Sequence, residues 1–216
     1  MGAVLNLIKK DLTTEWRQRY ALNGILLHTL SSTMVAFLSV QLMNAPTWNA
    51  IYWMILVFSS VSAVAKSFTA ESSGRQLYYY GIVSAHQLIL SKLIYNACLT
   101  VLLAMLCLLA YSLFLGFPVE HTGYYLFIVI LGASGLSSTF TLLASIASKS
   151  GNGNLLMPVL SLPVIIPLLL VAIKASKKAL DGLDTSLITK DLLVLFSLNL
   201  LIVVLAYVLF PFLWKD

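Results

Sequence analysis

Six long apolar runs, at 22–43, 48–65, 93–117, 124–147, 155–173 and 192–213, take up most of a 216-residue chain. A helix rises about 1.5 Å per residue and the hydrocarbon layer is about 30 Å thick, so about 20 mainly apolar residues cross it. Only 10% of the residues are charged, against about 25% in an average soluble domain. A water-soluble fold of this length has no way to hide so many apolar runs. Strands of a membrane barrel would be about ten residues long and would alternate polar with apolar, and these runs do neither. The sequence predicts an all-α membrane protein, one domain over 1–216 with six transmembrane helices.

The opening "MGAVLNLIKK" places its apolar residues before the lysines, unlike a cleavable signal peptide. The segment "LNLIKKDLTTEWRQRY" repeats Leu5, Ile8, Leu12, Trp16 and Tyr20 every three or four residues, the spacing of an amphipathic helix. It is expected on the membrane surface with its basic residues at anionic headgroups, the alternative being a cytoplasmic extension of the first span. Lys and Arg in short loops mark the cytoplasmic side. Nine fall on one side (Lys9, Lys10, Arg17, Arg19, Lys66, Arg75, Lys92, Lys149, Lys215) and four on the other (Lys174, Lys177, Lys178, Lys190). Both termini are therefore expected in the cytoplasm. The four exceptions share the loop "KASKKALDGLDTSLITKD", which is expected to form a short outer amphipathic helix.

The longest cytoplasmic connection, 66–92, contains "ESSGRQLYYYG". Gly81 reads as a helix stop and Ser84 to Gln87 as a capping box opening the next helix. The result is a protruding elbow with a flank of tyrosines. Arginine and tyrosine dominate protein contact hot spots, which makes Arg75, Tyr78, Tyr79 and Tyr80 candidates for a docking surface. Tyrosines also anchor helices at the lipid interface, and Glu71 and Arg75 have the spacing of an intrahelical pair.

Within the spans, chemistry is sparse. All eight acidic residues lie outside the six runs, which argues against an ion-coupled transporter. His28 is the lone intramembrane histidine and reads as a packed or hydrogen-bonded residue, and His121 as a solvated one. Cys98 and Cys107 lie on opposite sides of one helix, too far apart to bridge, and read as small core residues. No phosphate-binding loop, metal-ligand cluster or nucleophile–base arrangement is present, so an enzyme is not expected, nor a nucleic-acid partner. The fourth run holds "GASGLSSTF", where Gly132, Ser134, Gly135 and Ser138 allow close helix approach. The fifth holds Pro158, Pro163 and Pro167, each lacking a backbone donor, and is expected to be kinked or broken. Such a helix either lines a pathway or carries a static bend.

The strings "GRQLYYYGIVSAHQLILSKLIYN" and "LSLPVIIPLLLVA" resemble the heme exporter protein B (CcmB) family, six-span permeases of bacterial cytochrome c maturation. The resemblance implies an ABC-2 type permease in the bacterial inner membrane, with a cytoplasmic elbow that docks on a separate ATPase subunit carrying the ATP. Glu71, Arg75, Tyr78, Tyr79, Tyr80 and Lys92 would then lie at the coupling surface. It also implies a heme-handling membrane protein and a periplasmic heme chaperone as partners, membrane lipids around the bundle, and a second permease copy. Heme would be handled or transported, with no cofactor resident on the chain. Two rival readings stay open: another ABC-2 exporter of a lipid or hydrophobic small molecule, and a membrane assembly scaffold without transport.

Overall fold

The apolar runs fold as helices because a bilayer offers no partner for an exposed amide or carbonyl, and a helix satisfies both within itself. The computed structural model describes residues 2–17, 19–40, 44–69, 83–147 and 153–215, and among them it contains seven helices and no strand. They are α1 (Gly2–Arg17), α2 (Arg19–Ser39), α3 (Ala45–Thr69), α4 (Ala85–Leu115), α5 (Thr122–Ala147), α6 (Gly153–Leu180) and α7 (Thr185–Lys215). Five helical segments, Ala45–Ala65, Ala85–Leu115, Thr122–Ala147, Val159–Leu180 and Thr185–Phe212, are long and apolar enough to cross a membrane. The sixth expected span falls on α2, whose 21 residues start at Arg19 rather than Leu22. Its expected end at 41–43 lies outside the described residues.

α5 is the centre of the bundle and packs against α3, α4, α6 and α7. Two of its glycines let the neighbours in. A Cβ on Gly132 would collide with the Trp53 ring of α3, and one on Gly135 would meet Leu168 of α6 and fall 2.8 Å from Asn199 Oδ1 of α7. Ser134 adds a hydroxyl contact to Asn199 Oδ1 at 3.3 Å, and Ser138 is buried, donating to the Ser134 carbonyl at 2.9 Å. Outside this core, large apolar side chains such as Leu38, Leu113, Leu170 and Phe212 are exposed, as lipid-facing residues are.

The structure moves three boundaries. α4 opens at Ala85, where the capping box at Ser84 is expected to start it and ahead of the span start expected at Leu93: Ser84 Oγ accepts from the Gln87 amide and Gln87 Oε1 from the Ser84 amide, both at 3.4 Å. α3 opens at Ala45, where Asn44 Oδ1 accepts from the Thr47 amide at 2.9 Å. The expected outer amphipathic helix at 174–191 is absent as a separate element. Instead α6 runs on to Leu180 and α7 starts at Thr185, since Ala175, Ala179, Leu180 and Ile188 continue the buried face across the lysines. Gly182, at φ 65°, closes the turn between them, and Leu183 donates back to the Lys178 carbonyl at 3.1 Å.

α6 is not broken by its prolines. The helix is continuous from Gly153 to Leu180, and Pro163 and Pro167 lie on its exposed side, where their rings displace no neighbouring helix. Gly135→Leu is expected to destabilise the bundle by about 1–3 kcal/mol or more through overpacking, while Gly24→Ala, which meets open space, leaves it unchanged. Thermal unfolding in detergent, read by intrinsic fluorescence, checks both.

Candidate functional site

α1 is short and amphipathic, and its two faces have separate uses. Leu5 and Leu12 are exposed, while Leu7 is buried against Leu88, Ile89 and Leu93 of α4, Leu142 of α5, and Ala206 and Phe210 of α7. Asp11 stands one turn beyond Leu7 on the same face. Its Oδ2 lies 3.1 Å from Lys92 Nζ, and its Oδ1 lies 3.1 Å from Lys10 Nζ. The Lys92 side chain is only 4% exposed and that of Asp11 only 10%. A buried ammonium is tolerable only when a partner replaces its water, and Asp11 is that partner.

Lys92 therefore does not lie on an exposed elbow surface, as its place in the sequence led us to expect. It lies about two turns into α4, inside the bundle. Two further polar residues, Asn96 and Thr100, repeat at four-residue intervals and so continue its stripe along α4. On α5 the partners run antiparallel to them: Thr141 Oγ1 accepts from Asn96 Nδ2 at 3.0 Å, and Ser137 comes one turn further on. Asn96 Oδ1, Thr100 Oγ1 and Ser137 Oγ are buried without a hydrogen-bond partner among the described residues. Neighbouring hydroxyls behave otherwise, with Thr139 donating to the Gly135 carbonyl at 2.8 Å and Ser145 to that of Leu142 at 2.6 Å.

The opposite end of the bundle is tied by a denser network. Asn49 Nδ2 and Trp53 Nε1 both donate to Ser176 Oγ at 2.9 Å, and Tyr125 Oη donates to Asn49 Oδ1 at 3.2 Å. Tyr111 Oη donates to the Trp48 carbonyl at 3.1 Å, and Trp48 Nε1 to that of Gly116 at 3.2 Å. On the rim, Lys178 of α6 pairs with Asp191 of α7 at 2.7 Å. Sequence reasoning passed over this cluster. The signal was there in "TWNAIYW", where Trp48, Asn49, Tyr52 and Trp53 share one helical face.

Of the other anticipated residues, Glu71, Arg75, Tyr78, Tyr79 and Tyr80 lie outside the described residues, as does Gly81. Pro158 lies within α6. His28 is not packed: it is exposed and lines an open groove of about 430 Å³ between α2 and α3 with Ser31, Ser32 and Met54. Cys98 is exposed and only Cys107 is buried, as opposite sides of one helix require. His121 is half-buried, its amide donating to the Ala179 carbonyl at 3.0 Å.

The fold and this pattern of charge leave the lineage to be decided by comparison. Over residues 2–212 the sequence matches the family model described as CcmB protein. The chain belongs to the CcmB family. CcmB proteins are heme exporter permeases of cytochrome c maturation, not enzymes in their own right, and with five helices long and apolar enough to cross a membrane among the described residues this member is a multi-pass protein of the bacterial inner membrane. No curated protein matches the chain.

An amine-reactive reagent applied to the folded protein in detergent is expected to modify Lys9 and Lys174 and to spare Lys92. Modification of Lys92 at the rate of Lys9, read by peptide mass spectrometry, would contradict its burial.

Proposed function

We propose that this chain is the membrane permease subunit of an ATP-driven complex for cytochrome c maturation, and that it converts ATP hydrolysis on a separate ATPase subunit into helix motion. The observation that carries this reading is the family match along nearly the whole chain, 2–212. α2 serves as the sixth span and both termini lie in the cytoplasm, with α1 on the inner membrane surface and its exposed Leu5 and Leu12 in contact with lipid. The connection between α3 and α4 receives the ATPase, and Glu71, Arg75, Tyr78, Tyr79 and Tyr80 form the docking contact. The capped start of α4 then carries the push into the bundle, because the box fixes Ser84 and Gln87 to each other. α6, which lacks three backbone donors at Pro158, Pro163 and Pro167, is the most deformable span.

Heme is the handled ligand, delivered to or released with a periplasmic chaperone, and a heme-handling membrane protein and a second permease copy complete the assembly. A strain lacking the gene is expected to lose heme-stained c-type cytochromes and to regain them with the wild-type chain. Staining that survives the deletion would move the chain to the export of another hydrophobic substrate. In the complemented strain, Arg75→Ala combined with Tyr79→Ala is expected to abolish staining while the protein still accumulates. Full staining in that variant would point to a scaffold without coupling.

A further inference from the structure

We infer that the Asp11–Lys92 pair is the joint through which α1 and α4 move as one body during the ATP-driven step, with both residues acting as positioning residues. This inference rests on the permease reading given above. Apolar contact at Leu7 holds α1 against the bundle but sets no direction, whereas the ion pair fixes one point of α1 to one point of α4. That point lies about two turns from the Ser84 cap, where the elbow enters the membrane. A pull on the elbow reaches Lys92 through unbroken helix.

Two features let such a joint move without exposing a bare charge. The Asp11 carboxylate is shared, with Lys10 on Oδ1 and Lys92 on Oδ2, so the contact to Lys92 holds while the pair travels and the remaining charge stays matched on α1 itself. Beneath it, the seam between α4 and α5 is lightly pinned. Asn96 donates to Thr141, while Asn96 Oδ1, Thr100 Oγ1 and Ser137 Oγ have no partner among the described residues and so are available to a shifted register. Small sliding of packed helices is the shear form of conformational change, and it needs a seam whose side chains have somewhere else to bond. The far end has the opposite character, with Asn49, Trp53, Tyr125 and Ser176 mutually bonded. α4 joins that end through Tyr111, whose Oη donates to the Trp48 carbonyl at 3.1 Å, and through the Ala104 carbonyl, which accepts from Tyr52 Oη at 3.2 Å, so it is held there and free to shift at the end that carries the joint.

The test uses the whole complex, isolated with its ATPase from strains carrying Asp11→Asn, Lys92→Met or the exchanged pair Asp11→Lys with Lys92→Asp. ATP hydrolysis and heme-stained cytochrome are measured together, with the amount of assembled complex as the reference. Each single variant is expected to lose at least about fivefold in cytochrome matured per ATP hydrolysed, a lower bound for a coupling contact, and the exchanged pair to regain most of it. Single variants that mature cytochrome normally overturn the joint. So does a loss in which hydrolysis and staining fall in equal proportion to assembled complex, since that is all a structural role predicts. If a single variant fails to accumulate, the exchanged pair decides: assembled complex that matures cytochrome supports the joint, and assembled complex that hydrolyses ATP without maturation overturns it. Failure of the wild-type chain to restore staining would remove the permease reading itself.

Discussion

A lysine buried among membrane helices must find a carboxylate, and Lys92 finds its own on a helix that is not part of the spanning bundle. Lys92 is almost wholly buried, and Asp11 is nearly so. Breaking a buried ion pair by removing one partner costs about 3–5 kcal/mol in general, large beside the roughly 5–15 kcal/mol that holds a typical domain folded, and Lys10 on the other carboxylate oxygen moderates that cost on the Asp11 side. The requirement reaches outward from there. It fixes α1 against α4, brings Leu7 into the cluster with Leu142 and Phe210, and keeps the other face of α1, with Leu5 and Leu12, turned away from the bundle.

The two ends of the molecule divide the remaining labour. Away from α1, indole, amide, phenol and hydroxyl groups from α3, α5 and α6 close on one another, and the α6–α7 turn is stitched by Gly182 and by the Lys178–Asp191 pair. Buried networks that satisfy their members rigidify what they join. At the α1 end, among the described residues, apolar contacts and the Asp11–Lys92 pair contribute to the holding, and the polar seam below has acceptors in reserve. Under the proposed function, this asymmetry gives a firm end to move against and a softer end that receives the stroke.

Much of this architecture was legible in the sequence because it follows from local rules. Apolar runs of spanning length give spans, and Ser84 with Gln87 gives a cap through contacts that never leave one turn. Charge misled where the contact was distant. Lys92 looked like the last residue of a loop because hydropathy ends a span at a lysine, and nothing near it names Asp11, which lies in another helix. The lysines at 174–178 likewise seemed to end the fifth span, although Ala175, Ala179 and Ile188 carry its buried face onward. The exposed positions of His28 and Cys98 had a different cause. In a span that is apolar all round, lipid and protein are equally good neighbours, so periodicity does not say which side is covered. The elbow tyrosines and the family strings were readable as motifs, and the motifs identified the lineage before the geometry did.

Distances from α4 to α1 and from α4 to the far end of α5 in different nucleotide states test the account most directly. Spin labels on Leu5→Cys of α1, native Cys98 of α4 and Phe127→Cys of α5, all exposed, with Cys107 replaced by Ser, allow pulsed electron paramagnetic resonance on the assembled complex. Measured pairwise with and without ATP, the Leu5–Cys98 distance is expected to hold while the Cys98–Phe127 distance changes. A Leu5–Cys98 distance that shifts or broadens with ATP while Cys98–Phe127 holds would contradict the account, because α1 would then move without α4.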